Sequence, residues 1–145
     1  MAHLYPYTTW APDLATGNAL IDEQHKKWIA ALNAIFDAYR TGKGRRGVEE
    51  TMDFMLDYTV KHFNDEEEIQ KKYEYPEYDK HHQIHTGFKG VVRELRRELI
   101  KEGPTDEVIT NLYVTMGRWL INHIKDKDIA MAAYVRSKSD ELKQE

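Results

Sequence analysis

Apolar residues recur at spacings of three and four along four long stretches of the chain, the pattern of a helix with one buried face. The first stretch predicts a helix from near Asn18 to Arg40, with Asn18 as its N-cap and with Gly42 and Gly44 ending it. Its inner row consists of Ile21, His25, Trp28, Ile29, Leu32, Ile35, Phe36 and Tyr39. A histidine therefore lies within an otherwise apolar face.

Three further helices follow from the same periodicity. They are predicted over residues 47–73, over residues 77–102 and from residue 105 or 106 onward, with Tyr75-Pro76 and Gly103-Pro104 as the breaks. Four helices of roughly 20–25 residues with short connections predict an all-α, up-down-up-down four-helix bundle. We expect one domain over residues 1–145, divided into an N-terminal arm (1–17), the bundle (18–128) and a C-terminal tail (129–145) that forms a short, fraying helix.

Composition narrows the class of protein. The 21 basic and 25 acidic residues are interleaved and give a net charge of −4, which argues against a nucleic-acid partner or a polybasic membrane segment. No apolar run approaches the roughly 18 residues of a membrane span, and no signal peptide is apparent, so we expect no membrane partner and a cytoplasmic location. The absence of cysteine excludes disulfides and thiolate metal sites.

Two pairs of possible metal ligands lie four residues apart, a step that leaves side chains within about 40° of each other on a helix. His62 pairs with Glu66, and His81 pairs with His85. The row through His81 continues with apolar residues, whereas the row through His82 continues with polar ones, so His82 is predicted to face solvent. The acidic neighbours of Glu66, which are Asp65, Glu67 and Glu68, are interpreted as a solvated run.

The fourth predicted helix carries His123 on its inner row and Asp128 five residues later. Five residues of regular helix separate two side chains by about 140°. Both can face one site only if the helix ends or distorts between them, which the polar Lys125-Asp126-Lys127 would permit.

Together the four helices offer five histidines and two acids as candidate metal ligands. They are His25, His62, Glu66, His81, His85, His123 and Asp128. Seven nitrogen and oxygen ligands are too many for one tetrahedral zinc. They fit two octahedral metals that share two bridging carboxylates and one solvent-derived bridge, with one coordination position open. That combination is typical of non-haem iron that meets dioxygen; the alternative is a set of core histidines satisfied by water and backbone groups.

With these residues in place, the sequence between Trp10 and Asp128 resembles the hemerythrins, specifically the single-domain bacteriohemerythrins. The matching segments are residues 21–26, 62–67, 75–85 and 119–128, which read IDEQHK, HFNDEE, YPEYDKHHQIH and WLINHIKDKD. All seven ligand positions of the family are present. Gln70 is a departure, because many relatives have methionine there.

The resemblance implies two iron ions (Fe2+/Fe3+) joined by a bridging oxo or hydroxo group. One iron would be held by His81, His85 and His123, and the other, with the open position, by His25 and His62. Glu66 and Asp128 would bridge them. Dioxygen is the implied ligand, bound reversibly, and Leu120 resembles the leucine that lines the family's pocket. Because reversible binding needs a dry pocket, Trp119 and Ile124 are further candidates for its walls.

We therefore expect reversible oxygen binding, for storage, delivery or sensing, rather than an enzyme. An oxygen-using enzyme or a sensing protein would be a natural partner. The alternatives are iron storage and a di-iron enzyme that acts on oxygen, peroxide or nitric oxide. The ferritin-like enzymes use paired Glu-x-x-His motifs, which this sequence lacks. Slow oxidase or peroxidase activity is a further alternative. Neither His3 nor His82 is expected to bind metal.

Overall fold

The computed structural model describes residues 8–144, so His3, Tyr5 and Tyr7 of the predicted arm lie outside the described residues. The helices are α1 (Ala19–Arg40), α2 (Gly44–Lys72), α3 (Tyr78–Glu102), α4 (Asp106–His123) and α5 (Ile129–Gln144). A short 3-10 turn, Pro12–Leu14, precedes them. No strand occurs within residues 8–144, which confirms the predicted all-α class.

The first four helices form the predicted bundle. α1 packs against α2 and α4, and α3 packs against the same two helices, so each helix lies beside its neighbours in the chain. Their inward faces share one apolar core, in which the largest fully buried side chains include Trp28, Phe63, Phe88, Leu112 and Met116. No helix in the described part of the chain is long and apolar enough to cross a membrane.

Local signals place most helix ends close to where the sequence predicted them. The Asn18 side chain accepts a hydrogen bond from the Ile21 N–H at 3.1 Å, and Thr105 caps α4 in the same way. α2 begins at Gly44, three residues earlier than predicted. Gly44 has a φ of +77°, a backbone conformation that glycine adopts without strain, so the chain can turn and enter the helix there.

The junction between α4 and α5 is a π-helical segment, Ile124–Asp128. Here the Ile129 N–H donates to the Ile124 carbonyl, which closes a turn over five residues instead of four. A turn of this width brings residues five apart onto the same side of the helix. The distortion that the spacing of His123 and Asp128 required is therefore present, although the helix continues beyond it rather than ending.

The two terminal segments pack against the bundle. In the arm, the Thr8 N–H donates to the Tyr113 hydroxyl at 2.6 Å, and Asn33 Nδ2 donates to the Thr8 carbonyl at 2.9 Å. At the other end, α5 extends to Gln144 and is longer than the short helix expected. It buries Met131 and Val135, which form a small second core with residues of α1 and the α2–α3 turn.

Candidate metal centre

Seven buried side chains from the bundle helices and the π-helical segment meet near one end of the core. All have exposed fractions of 5% or less. Their ligand-type atoms form two overlapping groups, each with its atoms within 4.8 Å of one another. The first group contains His81, His85, His123, Glu66 and Asp128, and the second contains His25, His62, Glu66 and Asp128. The structure thus brings together all seven residues that the sequence singled out, with both carboxylates shared.

Glu66 divides its two oxygens between the groups. Its Oε1 lies 2.9 Å from His81 Nε2 and 3.2 Å from His85 Nε2. Its Oε2 lies 3.3 Å from His62 Nε2, on the other side. One carboxylate therefore faces two separate sets of imidazole nitrogens.

Asp128 does the same from the end of the π-helical segment. Its Oδ1 lies 3.1 Å from His123 Nε2 and 3.2 Å from His81 Nε2, whereas its Oδ2 lies 3.0 Å from His25 Nε2. Two carboxylates that each span both groups are the arrangement expected of bridging ligands between two cations.

The charges of these buried groups also favour cations. Burial raises the pKa of Asp128, but the facing histidines, led by His123, outweigh burial and hold it well below its usual range. Burial and the Asp128 carboxylate raise the pKa of Glu66, yet the histidines around it hold it below the usual range as well. Burial lowers the pKa of His81, but Asp128 and Glu66 together raise it to about 9. In the metal-free protein, a proton on His81 thus supplies positive charge that a metal ion would supply more strongly.

These side chains fit metal ions better than they fit a network of hydrogen bonds among themselves. Within the described residues, both oxygens of Glu66 and of Asp128 and the Nε2 atoms of His25 and His62 have no hydrogen-bond partner of acceptable geometry. Buried polar atoms are rarely left so. The Nε2 atom of His123 also lies 3.1 Å from that of His81, so either one ring donates a proton to the other or both nitrogens face a shared cation. The cluster is therefore able to hold metal.

A series of hydrogen bonds orients the His62 ring through Nδ1, the nitrogen that faces away from the cluster. Its Nδ1 lies 2.8 Å from Gln24 Oε1, and Gln24 Nε2 donates to Asp65 Oδ2 at 2.7 Å. Lys61 holds the same Asp65 oxygen at 2.7 Å. Because the Asp65 carboxylate only accepts, it fixes the amide of Gln24, which in turn leaves the proton of His62 on Nδ1 and the lone pair of Nε2 facing the site.

Glu67 plays the corresponding part for His85, and its predicted place in a solvated acidic run was wrong. Only 6% of Glu67 is exposed. Its Oε2 lies 2.8 Å from His85 Nδ1 and its Oε1 lies 2.7 Å from His82 Nδ1. Burial raises its pKa, but these two histidines outweigh burial and lower it. The sequence held a signal, since Phe63, Glu67 and Gln70 follow one another at spacings of four and three on a second buried row of α2.

Aromatic rings form the wall behind the histidines. The Phe63 ring lies parallel to that of His85, with centroids 3.8 Å apart. Trp28 packs beside His62 with a centroid distance of 5.2 Å. Of the three residues predicted to line a dioxygen pocket, Leu120 and Ile124 are buried in the core, and Trp119 is partly buried. Their part in binding dioxygen stays a prediction.

The remaining sequence-predicted residues lie outside the cluster. His82 belongs to neither group, and 47% of its side chain is exposed, in agreement with the predicted solvent-facing row. Gln70 is fully buried one turn beyond Glu66, and neither atom of its amide has a hydrogen-bond partner within the described residues.

Comparison with known proteins gives a consistent result. The family Hemerythrin, described as the Hemerythrin HHE cation binding domain, matches residues 16–135. A bacteriohemerythrin of Pseudomonas paraeruginosa is 33% identical over 142 residues, which cover 98% of this chain and 88% of that protein. A bacteriohemerythrin of Stenotrophomonas maltophilia is 33% identical over 136 residues, covering 94% of this chain and 86% of its own length.

Solved structures agree with these relatives. The crystal structure of a hemerythrin mutant superposes with a TM-score of 0.78 at 26% identity, covering 93% of this chain and 98% of the mutant chain. Similarity in sequence, family and fold extends over nearly the whole length in each case, and this chain therefore belongs to the hemerythrin family.

Proposed function

We propose that this chain binds dioxygen reversibly at two iron ions, without turning it over as an enzyme. His81, His85 and His123 would hold one ion, and His25 and His62 would hold the other. Glu66 and Asp128 would each offer one oxygen to either ion, and an oxo or hydroxo group would complete the centre. The observation that carries the proposal is the division of each carboxylate, one oxygen toward each set of histidines.

The ligand chemistry supports iron as the metal. The site offers imidazole nitrogen and carboxylate oxygen in a chain without cysteine, and iron accepts both donor types in octahedral geometry. The names of the relatives, hemerythrin and bacteriohemerythrin, support the same assignment. When bound, two ferrous ions supply the electrons that dioxygen accepts on binding and gives back on release.

The unequal histidine count supports a single position for dioxygen. Both groups share the same two carboxylates, but one group adds three histidines and the other adds two. A position left open for dioxygen would therefore lie beside His25 and His62. The two imidazoles stay in place there because α1 and α2 hold them in the packed core, with exposed fractions of 0%.

The chain's own contribution to reversibility is to exclude water and protons. Trp28 and Phe63 pack against the histidines, and Leu120 and Ile124 are buried in the same core; all four have exposed fractions of 1% or less. Side chains of this kind offer no proton donor other than the Trp28 indole N–H. Dioxygen can then leave as it came, without being protonated and released as peroxide.

The test is an anaerobic oxygen titration of the reduced, iron-loaded protein. We expect two irons per chain and a visible absorption band that appears with oxygen and disappears when oxygen is removed. His81→Ala should lose iron, while the adjacent His82→Ala should keep two irons per chain, because His82 lies outside the cluster.

Other outcomes would overturn the proposal. One metal per chain, or saturation by zinc in place of iron, would contradict the di-iron centre. If each addition of oxygen produced hydrogen peroxide or an oxidised product, with no reversible coloured form, the chain would instead be a di-iron enzyme.

A further inference from the structure

The two outer hydrogen bonds at the metal centre are matched in length but not in charge. His85 Nδ1 lies 2.8 Å from an oxygen of the Glu67 carboxylate. His62 Nδ1 lies 2.8 Å from the amide oxygen of Gln24. Gln24 and Glu67 are buried to the same degree, each with an exposed fraction of 6%. The three-histidine group is therefore supported by an anion, and the two-histidine group by a neutral amide.

Neither acceptor can exchange roles by a simple side-chain rotation. A Gln24 amide turned over would place its oxygen against the Asp65 carboxylate, which Lys61 already holds at 2.7 Å. Glu67 presents an oxygen acceptor to His85 in either orientation, because an ionised carboxylate has no donor. The difference in charge behind the two groups is thus built into the packing of α1, α2 and α3.

We propose that Glu67 and Gln24 are positioning residues that make the two metal sites unequal, so that the three-histidine site binds its metal first and more tightly. This inference rests on the proposed dinuclear centre. A carboxylate that accepts from Nδ1–H increases the basicity of the opposite nitrogen, Nε2, and fixes the ring toward the metal. Loss of such a partner typically weakens metal binding by about 10–100-fold.

The number of histidines acts in the same direction, so the experiment must change only the outer acceptor. Glu67→Gln keeps the size of the side chain and one oxygen acceptor for His85 while it removes the charge. The exposed His82 can change its tautomer to suit the new amide. Glu68→Gln is the matched control: it makes the same change in the next residue, whose side chain is 77% exposed.

The experiment is a titration of the metal-free protein with Co2+ under argon, followed by calorimetry and by visible absorption. We expect the wild type to bind two equivalents in two resolved steps. Glu67→Gln should weaken the tighter step by about 10–100-fold and leave the weaker step within about threefold, whereas Glu68→Gln should change neither. Gln24→Leu should weaken the second step alone. Circular dichroism of each metal-free variant establishes that it is folded.

The outcomes separate this inference from the function on which it rests. A wild type that binds fewer than two equivalents would overturn the proposed dinuclear centre. Two equivalents bound in unresolved steps, or an unchanged tighter step in Glu67→Gln, would overturn the inference and leave the centre standing. If Glu67→Gln does not fold, Glu67→Asp and Gln24→Leu test the inference instead. Glu67→Asp keeps the charge and should keep the tighter step. Loss of the tighter step from Gln24→Leu would contradict the assignment of that step to the three-histidine site.

Discussion

The Trp119 indole lies parallel to the His123 imidazole, with ring centroids 4.4 Å apart and planes inclined by 13°. Its ring system also stacks on Phe88, with a centroid distance of 3.8 Å and an angle of 11°. Phe88 lies on α3, so Trp119 connects the end of α4 to the core of its neighbour. The stacking restrains the plane of His123 just before the π-helical segment begins.

Replacing Trp119 should therefore affect metal retention as well as folding. We expect Trp119→Leu to lower the free energy of unfolding by about 1–3 kcal/mol and to speed loss of metal to a chelator, since stacked aromatic pairs contribute beyond their buried area. Trp119→Phe keeps a ring against His123 and should retain metal much better. Thermal unfolding and chelator competition measure the two effects. Equal metal retention in both variants would contradict a role for the stacking.

Removal of metal should make the stability of the protein depend on pH. In the metal-free protein, Asp128 and Glu66 raise the pKa of His81 to about 9 against burial, above its ordinary value of 6.5. Below pH 6.5 the proton is bound in both the folded and the unfolded chain, so the stabilisation is complete. As pH rises from 6.5 to 9 the folded state binds more protons than the unfolded state, and the stabilisation is lost.

We therefore expect the melting temperature of the metal-free protein to fall by several degrees between pH 6.5 and 9. The metal-loaded protein should change little in this range and should melt higher throughout, because metal binds the neutral imidazole and only the folded site. Paired thermal scans across this range measure both. A metal-free protein as stable as the loaded form, with no dependence on pH, would mean that the carboxylates do not face His81 as described.

Gln70 presents a simple test of buried polarity. Its amide is fully buried without a hydrogen-bond partner within the described residues, and such a group costs about 1–3 kcal/mol. Gln70→Met keeps the length of the side chain and removes the amide, so we expect the free energy of unfolding to rise by about that amount. Gln83→Met, on an exposed face of α3, is the control and should change little. Destabilisation by Gln70→Met would contradict this prediction and indicate that the Gln70 amide has hydrogen-bond partners.

The seven residues of the cluster could be selected from the sequence, because a polar residue on an apolar row is informative in any helix. His25, His62 and His85 each interrupt such a row, and all three are fully buried. The spacing of His123 and Asp128 even required the distortion now seen as the π-helical segment. The spacing could not predict which kind of distortion occurs, since a helix end and a π-helical turn can both bring His123 and Asp128 to the same side.

The outer partners could not be identified in the same way. Glu67 follows Glu66 directly and precedes an exposed glutamate, so its local sequence is that of a solvated run. Its burial depends on how α3 approaches α2 and on where His85 then lies, and both are tertiary facts. Gln24 is similar, because its role depends on Asp65, which is 41 residues away in the chain.

The last prediction concerns Leu120, which has an exposed fraction of 1% and lies one helical turn before His123. If buried apolar side chains keep water from bound dioxygen, then a polar group here should admit both water and protons. We expect Leu120→Asn to shorten the lifetime of the coloured oxygenated form by about tenfold or more, a change of roughly 1.4 kcal/mol in barrier height. Iron content should stay at two per chain, because none of the seven proposed ligands is changed. Leu120→Met conserves volume and apolarity, so its oxygenated form should decay at the wild-type rate, which separates polarity from packing.

Stopped-flow absorption at the band of the oxygenated form, with iron analysis of the same samples, makes the measurement. If Leu120→Asn and Leu120→Met decay equally, the apolar wall does not control the lifetime; if Leu120→Asn loses iron, Leu120 supports the ligands rather than the dioxygen pocket.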